Sequence, residues 1–142
     1  MGDFKRLIAW QKAHAFSIAV HAAYRSKRVN VSPGLRSQIL RAVNSISDNL
    51  AEGCAKRSRL ELGRYADMAY ASAKEVENDL IKSRDLGILS RVVFEDLVTQ
   101  GDEVARLCFA LARPPSKHDN PCAADEPLPS LPPSPNNGGS DV

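Results

Sequence analysis

Proline placement constrains this chain more than any other feature. Pro33 is the one proline before position 114, whereas eight more crowd between Pro114 and Pro135. Proline removes a backbone donor and clashes with the preceding helical turn. The 80 proline-free residues 34–113 are therefore open to long helices, and the segment after them is not. That tail carries Gly138-Gly139 near its end and offers few apolar side chains besides Leu128 and Leu131, too little to offset the entropy of ordering it. The expected folding unit is residues 1–112, with 113–142 a disordered Pro-rich tail; PxxP-type recognition by a partner is the alternative to plain disorder. A unit of this size buries roughly two thirds of its unfolded surface and needs neither a disulfide nor a structural metal.

Within the unit the apolar period is helical. A first helix is predicted from about Phe4 to Lys27, with Ala9, Ala13, Phe16, Val20 and Tyr24 on one face. Ser32 followed by Pro33 is an N-cap with proline at the first helical position, where its missing N–H costs nothing. The second helix starts there and carries Leu35, Ile39, Ala42, Val43, Ile46, Leu50 and Gly53 inward. Ser58 and Glu61 form a capping box that opens the third, whose inner face is Leu62, Tyr65, Ala69, Ser72, Val76 and Leu80. Gly87 suits a left-handed C-terminal position. Ser90 caps the fourth, with Val93, Leu97, Gly101, Val104, Cys108 and Leu111 inward. Helices this long joined by short connections must run antiparallel to their neighbours, so the fold class is all-α, an up-down-up-down four-helix bundle.

The net charge of +2 is a cancellation. Residues 1–64 hold twelve Lys and Arg against four Asp and Glu, a net +8; residues 65–112 hold five against nine, a net −4; the tail adds −2. Two basic clusters stand out: Arg25, Lys27, Arg28 and Arg36 around the first turn, and Lys56, Arg57, Arg59 and Arg64 around the second. In an up-down bundle they lie at opposite ends. Either they are solvated charge or they contact phosphates without reading sequence, since no RNA-recognition motif or aromatic stacking pattern accompanies them. Cys54, Cys108 and Cys122 are odd in number, widely spaced and free of CxxC or Cys/His pairing, which predicts reduced thiols. Asp3, Lys5 and Arg6 precede no long apolar run, so neither a secretory signal nor a membrane span is expected, and the cytoplasm is the predicted location.

One bundle cannot bury every apolar face. Phe4, Leu7, Ile8, Ala15, Ile18 and Ala22 lie roughly opposite the first helix's inner stripe, while Leu40, Tyr70 and Ile81 fall outside theirs. A contiguous apolar face marks an interface, which predicts a homo-oligomer; the alternative is that Phe4, Leu7 and Ile8 cap the end of the bundle. Beside the second helix's core stripe runs a polar row, Arg41, Ser45, Asn49, Glu52 and Lys56. Asn and Ser are indifferent helix formers, so their place beside a core points to partners there. Glu75 and Asp79 on the third helix are candidates to receive Arg41 or Lys56. Such a row is either a register-fixing network or a ligand site.

The run Arg41-Ala42-Val43-Asn44-Ser45-Ile46-Ser47-Asp48-Asn49-Leu50-Ala51-Glu52-Gly53, followed by Lys56-Arg57, resembles the signature of the 23S rRNA intervening-sequence protein family, also called the four-helix-bundle protein family. Leu7-Ile8-Ala9-Trp10-Gln11-Lys12-Ala13 is similar to its opening motif, Ser72-Ala73-Lys74-Glu75-Val76-Glu77 to its third-helix motif, and Leu86-Gly87-Ile88-Leu89 to the turn that follows. The resemblance spans about residues 4–112. It implies a small bacterial protein, a four-helix bundle that assembles into a ring of five, whose first member genes lie in insertions of 23S rRNA genes. It implies no established activity. Accessory proteins of diversity-generating retroelements look similar, as basic pentameric barrels that engage nucleic acid and a reverse transcriptase. The acidic third and fourth helices set this chain apart from them.

Catalytic and metal chemistry find little footing. Ferritin-like sites need inward Glu-x-x-His pairs, and none occurs. His14 and His21 share a side of the first helix with Trp10, Ser17 and Arg25 but lack a carboxylate or thiol at a matching step. Cys54 sits near Lys56 and Arg57, yet no histidine is near it in sequence to act as base. No phosphate-binding loop is present. The expected function is a non-catalytic, homo-oligomeric helical scaffold, pentameric by resemblance, whose basic patches bind RNA or an RNA-associated protein. No cofactor, metal, membrane or small-molecule substrate is expected. The alternative is a protein-interaction adaptor without nucleic-acid binding.

Overall fold

The computed structural model describes residues 2–113 and 120–122. A 3-10 turn, Phe4–Arg6, leads into α1 (Ile8–Arg25), α2 (Pro33–Ala55), α3 (Arg59–Asp85) and α4 (Arg91–Ala112). Each helix packs on the next and α4 returns against α1, closing the four-helix bundle. The helix starts follow from local chemistry. Ser32, Ser58 and Ser90 accept hydrogen bonds from the backbone N–H groups of Leu35, Glu61 and Val93 at 3.2–3.3 Å. Each bond satisfies one of the donors a first turn leaves open.

α3 ends as its glycine requires. Gly87 takes φ of 71°, its N–H bonds the Arg84 carbonyl at 3.0 Å, and the Ile88 N–H reaches back to Ser83 at 2.8 Å. This paired closure satisfies two terminal carbonyls and turns the chain sharply into Ser90. The start of the first helix differs from the expectation. Asp3 accepts from the Lys5 N–H at 3.0 Å and folds Phe4–Arg6 into a separate turn, after which Leu7 is extended. That break rotates Leu7 inward, leaving it 2 % exposed.

The core runs the length of the bundle, from Phe16, Val20 and Tyr24 on α1 through Ile46 and Leu50 on α2 to Leu80 and Leu97 on α3 and α4. Val93, expected inside, is exposed at the start of α4, where the helix has not yet come under cover. Two glycines allow close approach. A Cβ on Gly53 would lie 2.9 Å from both Leu62 Cδ1 and Tyr65 Cβ, and one on Gly101 would lie 2.9 Å from Phe16 Cζ.

The thiol expectation is overturned: Cys54 at the end of α2 forms a disulfide with Cys122. Sequence spacing could not show this, because the partners are 68 residues apart and meet only because α4 ends beside the α2–α3 connection. Pro121 and Cys122 are buried there. The disordered-tail expectation for 114–119 and 123–142 lies outside the described residues. Cys108 is free and buried, and burial pushes its thiol up to about 12. No helix among the described residues is long and apolar enough to cross a membrane.

Candidate functional site

The two basic clusters occupy opposite ends and differ in what holds them. At the α2–α3 end, Arg59 Nη1 donates to the Leu111 carbonyl at 2.8 Å, so this guanidinium serves the last turn of α4. Lys56 lies 5.3 Å from the centre of the Tyr65 ring. Arg57 and Arg64 are exposed. The buried Cys54–Cys122 disulfide adjoins this cluster.

At the α1–α2 end the cations are uncommitted. Arg25, Lys27 and Arg28 are exposed, Arg36 is half-buried, and none has an ion-pair partner among the described residues. The antiparallel connection brings Arg25, on the last turn of α1, and Arg36, on the first turns of α2, to a common cleft of about 280 Å³. His21, Tyr24 and Leu40 complete its lining. Among the described residues no carboxylate lines it, and the buried Arg36 Nε has no hydrogen-bond partner. His21 is held by Asn44. The Asn44 carbonyl oxygen accepts from Ser17 Oγ at 3.1 Å and lies 2.8 Å from His21 Nε2. A carbonyl has no proton to give, so Nε2 carries the hydrogen.

The polar row on α2 is brought together in part. Asn49 Nδ2 donates to the Ser45 carbonyl at 2.8 Å and to Ser45 Oγ at 3.0 Å, and Ser45 Oγ meets Ser72 Oγ across to α3 at 2.9 Å. Arg41 and Glu52 stay exposed, outside this network. The expected pairing of Asp79 with Arg41 or Lys56 does not form, because Gln38, one turn earlier on α2, reaches it first: Gln38 Nε2 donates to Asp79 Oδ1 at 2.9 Å.

Asp79 is fully buried, and its Oδ2 has no hydrogen-bond partner among the described residues. Desolvation raises its pKa above the ordinary carboxylate value; Lys82 and the Gln38 bond oppose the rise and Glu75 adds to it. A raised native pKa means the folded chain binds this proton more tightly than the unfolded one. Its contribution to stability is then greatest below about pH 4 and falls as pH rises through the native value. Asp79→Asn is expected to abolish that fall and to gain about 1 kcal/mol at pH 7, by replacing a half-paired buried charge with a neutral amide. Urea unfolding at pH 4 and pH 7 checks this. A variant less stable than the parent at pH 7 contradicts it.

Of the candidate interface residues, Leu7 lies in the core instead, turned inward by the extended backbone after the Phe4–Arg6 turn. Phe4 packs edge-on to Trp10 with ring centres 4.9 Å apart. Ile8 and Leu40 are half-buried against the core. Tyr70 is half-buried and touches Phe109, their ring centres 5.5 Å apart. Ile18 is 58 % exposed and Ile81 is at the surface. The structure adds exposed Met68, Val92 and Phe109, which lie off the inner stripes of α3 and α4. His14 stacks on Trp10, and among the described residues no three His, Cys, Asp or Glu side chains gather as metal ligands.

A family model described as "23S rRNA-intervening sequence protein" matches residues 5–110. The chain belongs to that family. The 23S rRNA-intervening sequence protein match ends close to the end of α4 and leaves Cys122 outside it. Among solved structures, a protein of unknown function from the S23 ribosomal protein family of Bacteroides thetaiotaomicron is 21 % identical, with a TM-score of 0.67 over 75 % of this chain and 99 % of that one. At that identity the likeness bears on the fold. No curated protein matches the chain.

Proposed function

We propose that this protein is a non-catalytic, homo-oligomeric helical scaffold, a ring of five by family resemblance, that binds RNA phosphates through its α1–α2 end. The carrying observation is the set Arg25, Lys27, Arg28 and Arg36, which share one end of the bundle and have no carboxylate partner among the described residues. Cations left unpaired at one end form a positive field for a polyanion. Assembly draws support from Ile18, Met68, Val92 and Phe109, large apolar side chains that a single chain leaves uncovered. Repetition around a ring would multiply each weak end into a continuous basic rim.

Contacts of this kind release counterions. If one subunit's four cations each neutralise a phosphate, log Kd against log salt should have a slope of about 3 per engaged subunit on single-stranded RNA. Titration of labelled RNA from about 50 to 200 mM salt checks this. Absence of binding at the lowest salt, or binding indifferent to salt, counts against the RNA reading and favours the adaptor. Light scattering at micromolar protein checks assembly, which a mass of one chain would refute.

A further inference from the structure

The α1–α2 cleft differs from the rest of the basic surface in being a recess. Arg25, Arg36 and His21 line it, and its remaining walls are Leu40 and Tyr24. A solvated basic patch needs no apolar wall. A recess with cations and apolar surface together suits a charged group attached to an organic body. Arg36 supplies a second indication: its Nε has no acceptor among the described residues, so no protein group competes with an anion for this guanidinium. Asn44 fixes the His21 ring through Nε2, so this wall of the recess is held in place before any ligand arrives.

We propose that this cleft binds a phosphomonoester on a nucleoside, either a free nucleoside 5′-monophosphate or the 5′-terminal phosphate of an RNA. A terminal phosphate carries roughly 1.5 to 2 negative charges at neutral pH and three acceptor oxygens, which match two arginine forks better than a singly charged diester does. It also enters with one substituent, whereas an internal phosphodiester must bring the strand both into and out of the recess. The cleft volume of about 280 Å³ leaves room for a sugar beside the phosphate. For RNA as the source, the inference rests on the RNA reading above; for a free nucleotide it stands without that reading.

The test uses the full chain and four probes: one labelled RNA oligomer with a 5′-phosphate, its 5′-hydroxyl twin, adenosine 5′-monophosphate and adenosine. The expected result is that a phosphorylated probe binds about tenfold or more tightly than its unphosphorylated twin. Arg36→Gln should erase that preference, while Arg91→Gln, an equal loss of charge at the same end but outside the cleft, should keep it. A preference within the RNA pair assigns the source to RNA ends, and one confined to the adenosine pair assigns it to free nucleotide. No preference in either pair overturns the inference, even if both RNAs bind with steep salt dependence, in which case the RNA-scaffold reading survives alone. If Arg36→Gln fails to fold by circular dichroism, the exposed Arg25→Gln takes its place. A preference that persists through the arginine substitution overturns the assigned location.

Discussion

Reduction of the Cys54–Cys122 disulfide is expected to lower the unfolding free energy of the full chain by about 4 kcal/mol. The bond closes a loop across a sequence separation of 68 residues. In the chain-entropy account such a loop falls between the ~3 kcal/mol of a 15-residue closure and the ~4.7 kcal/mol of a 100-residue one. Native stability is only about 5–15 kcal/mol, so the loss is a large share of it. Guanidinium unfolding with and without dithiothreitol reads the effect, and Cys122→Ser should reproduce the reduced curve. Cys108 is inert only while folded, where burial pushes its thiol up to about 12 and keeps it protonated at neutral pH; unfolding exposes it, so the comparison is made in a Cys108→Ala background that removes disulfide exchange. Coincident transitions with and without reductant would contradict the disulfide. Its persistence also bears on location: such bonds last in oxidising compartments and open where glutathione keeps thiols reduced. The cytoplasmic expectation and a closed Cys54–Cys122 bond therefore pull in opposite directions, and equilibration in glutathione buffers decides between them.

What the sequence revealed was local. Ser32 before Pro33, Ser58 before Glu61 and Ser90 before Val93 each cap the helix they announce, because a cap needs nothing beyond the next three residues. Gly87 follows the same logic. The inner stripes were legible because a 3.6-residue period survives whatever the neighbouring helix does. Features that depend on how two segments meet were hidden. Arg25 and Arg36 were visible as charges, but their common cleft depends on the register of α1 against α2, set by the path of residues 26–32 between them. Asp79 was visible as an acid near the polar row, but its choice of Gln38 depends on the α2–α3 register. Leu7 was misplaced because one extended residue after the Asp3-capped turn breaks the helical phase that the stripe assumed.

Gly101 shows the same limit and offers the sharpest test of the packing. Sequence alone placed it on the inner face of α4 without a reason for a glycine there. The reason is Phe16, 1 % exposed on α1, whose ring approaches so closely that a Cβ at position 101 would stand 2.9 Å from Cζ and 3.3 Å from Cε2. Phe16→Ala is expected to cost about 3–5 kcal/mol, since it removes a buried ring and leaves a cavity that neighbouring helices close only in part. Gly101→Ala sets two effects against each other. Alanine gains roughly 1 kcal/mol of helix propensity, but pressing a methyl group against a packed ring costs about 1–3 kcal/mol. The single substitution should therefore be neutral to destabilising in the parent. In a Phe16→Leu background the ring is gone, and the same Gly101→Ala change should stabilise by up to about 1 kcal/mol. Urea midpoints at unchanged m-value measure both backgrounds. A change of sign between them isolates the contact, because propensity is the same in each and only the ring differs. Equal stabilisation in both would mean that Phe16 does not press on position 101, and the packing of α1 against α4 would have to be redrawn.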